Sequence, residues 1–95
     1  MTQVSVTVKN HNAPIIIYFS LDWDGGGHEE TNRYYENQSK TLTADVPEGS
    51  NVTVTIYKMI EPLPVSWGDL FEQSYSLSSL PSCFEVTGLG DVSTC

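Results

Sequence analysis

Near the start of the chain Val4, Val6 and Val8 alternate with Ser5, Thr7 and Lys9. This is the period of two by which a strand buries one face and wets the other. Asn10-His11-Asn12-Ala13-Pro14 supplies the turn residues that end it. In the next run Ile15, Ile17, Phe19, Leu21 and Trp23 share one face, while Ile16, Tyr18, Ser20, Asp22 and Asp24 share the other. The run is β-branched and aromatic, long enough for one strand and too short for a membrane span. Because Ile16 and Tyr18 are also apolar, its early half is expected to be covered on both sides and its later half to emerge into water.

After a triple glycine the signal weakens. Residues 31–37 predict a poor strand and residues 41–46 a short one, followed by a turn at Pro47-Glu48-Gly49-Ser50. Residues 51–57 are the clearest half-buried strand, with Val52, Val54 and Ile56 on one face and Thr53, Thr55 and Tyr57 on the other. Pro62 and Pro64 remove two ladder donors, so a loop is expected to interrupt the sheet there. Beyond them Ser66 and Asp69 resemble a capping box, and Trp67, Leu70, Phe71 and Tyr75 recur at helical spacing, which predicts one short helix over residues 67–74. Gly68 and the serines weigh against it. Short strands around residues 75–80 and 83–86 and a Gly88-Leu89-Gly90 turn complete the pattern.

Six or seven short strands between Pro, Gly and Asn turns predict an all-β chain: a small antiparallel β-sandwich, with immunoglobulin-like and jelly-roll-like topologies both open. The Cys…Trp…Cys spacing of a true immunoglobulin domain is absent. Ninety-five residues make a single domain.

Twelve acidic residues against Lys9, Arg33, Lys40 and Lys58 give a formal charge of -8. That balance repels phosphate backbones and excludes nucleic acid as an expected partner, while a cation, a neutral glycan or a basic protein surface remains compatible. Cys83 and Cys95 invite pairing, and the loop so closed would contribute roughly 3 kcal/mol in the chain-entropy model. A disulfide and sequons at Asn37 and Asn51 favour a secreted chain. Residues 1–5 show neither a basic leader nor an apolar signal core, which leaves a cytosolic chain or one whose leader is removed.

Chemistry concentrates at Asp22-Trp23-Asp24-Gly25-Gly26-Gly27-His28-Glu29-Glu30. If the hairpin turns through Asp24 to His28, Trp23 faces Glu29 and Asp22 faces Glu30. Directly opposed carboxylates destabilise the pair unless a cation separates them or the register slips. Asp22, Asp24, Glu29 and Glu30 are therefore candidate ligands for Ca²⁺, the one cofactor this loop suggests, although the spacing is not that of an EF-hand. A solvated acidic tip is the plainer reading of the same residues. Zinc lacks a ligand pair at recognised spacing. Trp23, Tyr34 and Tyr35 offer flat apolar faces beside Asn32 and Arg33, the mixture a glycan requires. Trp23 could equally close the core end, and one of Tyr34 and Tyr35 must point inward if their segment is a strand.

No nucleophile motif accompanies His11 or His28, so an enzyme is the weakest class and no catalytic residue is named. The lead expectation is a non-enzymatic, lectin-like module recognising a glycan or cell surface through residues 22–35. The alternative is a protein-interaction module, such as an inhibitor, toxin component or assembly subunit, presenting Pro62-Leu63-Pro64-Val65-Ser66-Trp67 to its partner.

Overall fold

The computed structural model describes residues 1–88 and 90–95, and for Glu61 and Pro62 the backbone alone. Leu89, at the centre of the expected Gly88–Gly90 turn, lies outside the described residues. The expected all-β fold is present. Eight strands among the described residues run β1 (Thr2–Asn10), β2 (Ile17–Trp23), β3 (Gly27–Glu30), β4 (Gln38–Val46), β5 (Asn51–Pro62), β6 (Val65–Ser76), β7 (Cys83–Thr87) and β8 (Asp91–Thr94). They form two four-stranded sheets, ordered β4-β1-β7-β8 and β3-β2-β5-β6. Pairing is antiparallel except between β1 and β7, which run parallel.

Period-two patterning explains the layers. Val4, Val6 and Val8 of β1 with Phe84 and Val86 of β7 face Ile17, Phe19 and Leu21 of β2 and Val52, Val54 and Ile56 of β5 across one buried core. The outer face of the first sheet is the threonine-serine ladder that alternation demands: Ser5 bonds Thr43 at 2.8 Å and Thr7 bonds Thr41 at 2.6 Å. Asn10 is buried because its amide organises the turn it begins, donating to the Ile15 carbonyl at 2.9 Å and accepting from the Ala13 N–H at 3.1 Å.

The helix expected over residues 67–74 is replaced by β6. Between Ile56↔Phe71 and Tyr57↔Asp69 the register shifts, so Leu70 is an extra residue on the β6 side. This bulge turns both Leu70 and Phe71 towards the core. Two adjacent inward residues, with Trp67 and Tyr75 on either side, imitate helical spacing. Phe71 and Tyr75 then pack on Phe84 with ring centroids 5.5 and 6.1 Å apart.

Two more expectations change. Residues 31–37 do not form a strand, because only Tyr34 pairs, through a single bridge to Ile17. The prolines do not break the sheet into a crossing loop; they lie at the tip of a long β5–β6 hairpin, with Pro62 facing Val65 around Leu63-Pro64. Cys83 and Cys95 form the expected disulfide, with Cα atoms 5.2 Å apart. It joins the start of β7 to the residue after β8 within one sheet, whereas an immunoglobulin disulfide crosses between sheets.

Candidate functional site

The acidic hairpin is tighter than its sequence predicts. Trp23 faces Gly27, Asp22 faces His28, Leu21 faces Glu29 and Ser20 faces Glu30. The turn is confined to Asp24, Gly25 and Gly26, the last two at φ +89° and +86°, which is backbone that L side chains rarely adopt. The expected Asp22–Glu30 opposition is thus avoided by a two-residue slip. The His28 imidazole stands between the two carboxylates: Nδ1 lies 2.5 Å from Asp22 Oδ1, and Nε2 lies 2.9 Å from Glu30 Oε1. The hydrogen bond to Glu30 and then that to Asp22 raise the His28 pKa, against the opposing effect of desolvation.

Strand alternation separates the four carboxylates expected to hold calcium. Asp22 and Glu30 project from the outer face with His28, whereas Glu29 pairs with Leu21 and so belongs to the other side of the sheet. Asp24 turns away to accept the Asn51 N–H at 3.1 Å. Among the described residues, no three His, Cys, Asp or Glu side chains are arranged to hold a metal ion.

Gly27 serves a different purpose from its two neighbours. A Cβ built there would lie 1.9 Å from the Trp23 indole, so the ring rests directly on the bare Gly27 backbone. Half-buried in this way, Trp23 packs against the core cluster at the end of the sandwich and still borders solvent.

The aromatic and polar residues of 32–35 disperse. Tyr34 is 4% exposed and donates its hydroxyl to the Val8 carbonyl at 2.8 Å, so it is a core residue and offers no face to a ligand. Burial holds its pKa well above the ordinary tyrosine value. Tyr35 is exposed, with its N–H donating to Gln38 Oε1 at 2.8 Å. Asn32 borders a separate hollow with Ser39 and Thr41. Arg33 crosses the outer face of the second sheet, its guanidinium 4.6 Å from the Tyr18 ring centre and 5.2 Å from that of Trp67. Tyr18 in turn stacks on Tyr57 at 4.5 Å and meets the edge of Trp67 at 4.9 Å. Tyr18 and Tyr57 are not legible as site candidates from the sequence, and Trp67 is expected there only within the segment presented to a protein partner, since the meeting of the three depends on strand order.

At the hairpin end an open depression of about 310 Å³ is lined by Asp22, Trp23, Asp24, Asn51, Thr53 and Ser74. Three expected residues meet here and three are new. Asn51 and Thr53 arrive because β5 pairs with β2, and Ser74 because β6 pairs with β5. Thr53 and Ser74 hydroxyls are 2.7 Å apart. The hollow therefore brings Trp23 together with two aspartates, an asparagine, a threonine and a serine, and no basic residue lines it.

Comparison with protein-family models, curated proteins and solved structures finds no match to this chain.

Proposed function

We propose that this protein is a secreted, non-enzymatic recognition module that binds a neutral glycan in the depression beside the acidic hairpin. The observation that carries the reading is the lining itself, in which Trp23 stands among Asp22, Asp24, Asn51, Thr53 and Ser74. A sugar presents a rim of hydroxyls over a partly apolar body, and this lining offers a surplus of acceptors beside a half-buried aromatic residue. The absence of a basic side chain from the lining and the net charge of -8 disfavour sulfated or phosphorylated ligands. The hollow is open to water, which suits reversible binding. The disulfide supports an oxidising compartment.

The test begins with a glycan array on the intact protein, followed by calorimetry of the best neutral ligand against Asp24→Ala and Thr53→Ala. Loss of a ligand hydrogen bond at either position should weaken binding about five- to tenfold. Variants that fold and bind as tightly as the parent, or ligand-induced amide shifts that leave Asn51 and Thr53 unmoved, would remove the site from consideration.

A further inference from the structure

The β5–β6 hairpin carries a feature unrelated to the depression, at the opposite end of β5. Pairing of β2 with β5 stops at Ile17↔Lys58, with one further bond from the Met59 N–H to the Ile16 carbonyl at 2.9 Å. Beyond it the chain pairs only with itself, Glu61 with Ser66 and Pro62 with Val65. This projecting arm exposes apolar side chains at its end: Leu63 at 90%, Ile60 at 57% and Val65 at 56%. Ile60 is laid over Gly68, where a Cβ would approach its Cδ1 to 2.4 Å. From Met59 to Trp67 the sequence has one charged residue, Glu61.

The base of the arm has different chemistry. Trp67 faces Met59 across the hairpin, with Tyr18 and Tyr57 beside it. Arg33 lies over Tyr18 and Trp67, and Lys58 is the last β5 residue paired to β2. Two of the chain's four basic residues therefore stand where the arm leaves the sandwich.

We propose that the arm tip enters the surface of a zwitterionic lipid bilayer, with Leu63 leading and Ile60 and Val65 following. A narrow convex tip has no pocket of its own, and a fluid interface can receive it without a complementary groove. At about 3.3 Å per residue the arm reaches about 10 Å beyond its base, comparable to the depth at which interfacial elements bury their apolar faces. Tyr18, Tyr57 and Trp67 then lie at the headgroup level that amphipathic rings prefer. Arg33 and Lys58 meet lipid phosphates, while the overall charge of -8 works against anionic leaflets. With so few apolar side chains the binding is reversible. It is independent of the glycan reading, because pure phosphatidylcholine carries no sugar.

The experiment is co-sedimentation of the intact protein with phosphatidylcholine vesicles, alongside quenching of tryptophan emission by lipids brominated along the acyl chain. The expected result is saturable binding, quenching that disappears in Trp67→Phe, and a loss of about tenfold or more in partitioning for Leu63→Asp and for Ile60→Ser/Leu63→Ser/Val65→Ser. Leu63 touches so little of the fold that Leu63→Asp should keep the parent melting temperature. The proposal is overturned by absence of binding at millimolar lipid, by binding that both variants retain, or by binding that requires phosphatidylserine. A dimer in sedimentation equilibrium that Leu63→Asp dissolves would also overturn it, assigning the arm to a second copy of the chain.

Discussion

Replacing Gly27 by alanine tests whether the Trp23 indole is a roof over the hairpin or a free surface group. Gly27 needs no positive φ, so backbone strain does not enter. The whole effect comes from the methyl group, which would stand 1.9 Å from two atoms of the indole. The ring must swing away or the hairpin must open. Overpacking of this kind costs about 1–3 kcal/mol, and reduced freedom of the unfolded chain returns about 0.4–1 kcal/mol. The net destabilisation then lies between about 0 and 2.6 kcal/mol, and its midpoint of about 1.3 kcal/mol corresponds to roughly 5–10 °C in melting temperature for a domain of this size. In a Trp23→Ala background the clash is gone and only the favourable contribution remains, so Gly27→Ala should stabilise that variant. A double-mutant cycle by urea unfolding therefore yields a coupling of about 1–3 kcal/mol. Emission of Trp23 should also shift to the red in Gly27→Ala as the ring meets water. Additivity within about 0.5 kcal/mol would refute the argument and return Trp23 to the solvent side of the hairpin.

Tyr34→Phe should cost about 1 kcal/mol at neutral pH through loss of the bond to the Val8 carbonyl. Its larger signature is alkaline: because burial raises the folded pKa of Tyr34, stability is intact below the unfolded value near 10 and is lost as pH rises beyond it, by up to about 1.4 kcal/mol per pH unit. Urea titrations from pH 9 to 11.5 should show this slope reduced in Tyr34→Phe, and an unchanged slope would refute the assignment. His28 should titrate by NMR above its ordinary value of about 6.5, with the midpoint lowered most by Glu30→Gln and less by Asp22→Asn. Its stabilisation is complete below the unfolded value and disappears as pH rises through the folded one. With these side chains nearly half exposed, the effect on stability should be small and weaken with salt, and a midpoint indifferent to both substitutions would break the bridge.

What could be read from the chain was the face of each strand, because burial imposes its period directly on the residues. Val4, Val6 and Val8 and the residue pair of Val52 and Val54 are buried as their alternation requires. Registers were harder, since a three-residue and a five-residue turn fit the same Asp-Gly-Gly-Gly-His letters. The tighter turn brings His28 opposite Asp22 and lets Trp23 cover Gly27. The bulge at Leu70 defeated pattern reading altogether, as one extra residue breaks the period of two and leaves a helical-looking trace. Asn51, Thr53 and Ser74 could not be foreseen around Asp22 and Trp23, for that neighbourhood is made by strand order and no local signal encodes it.

The parallel partnership of β1 with β7 has a bearing on how the chain is made. β1 lies inside its sheet, between β4 and β7, and Thr7 waits for Cys83. While a ribosome is still adding the intervening residues, β1 can pair with β4 but keeps its other edge of unpaired N–H and C=O groups open. The second sheet, with all its strands between residues 17 and 76, can assemble sooner. The first is finished only after β7 and then β8, residues 83–94, emerge, and the disulfide from Cys83 to Cys95 closes after that. Between the emergence of β6 and that of β7 the nascent chain thus passes through an interval in which the second sheet can be complete while the first has an open edge exposed to other chains.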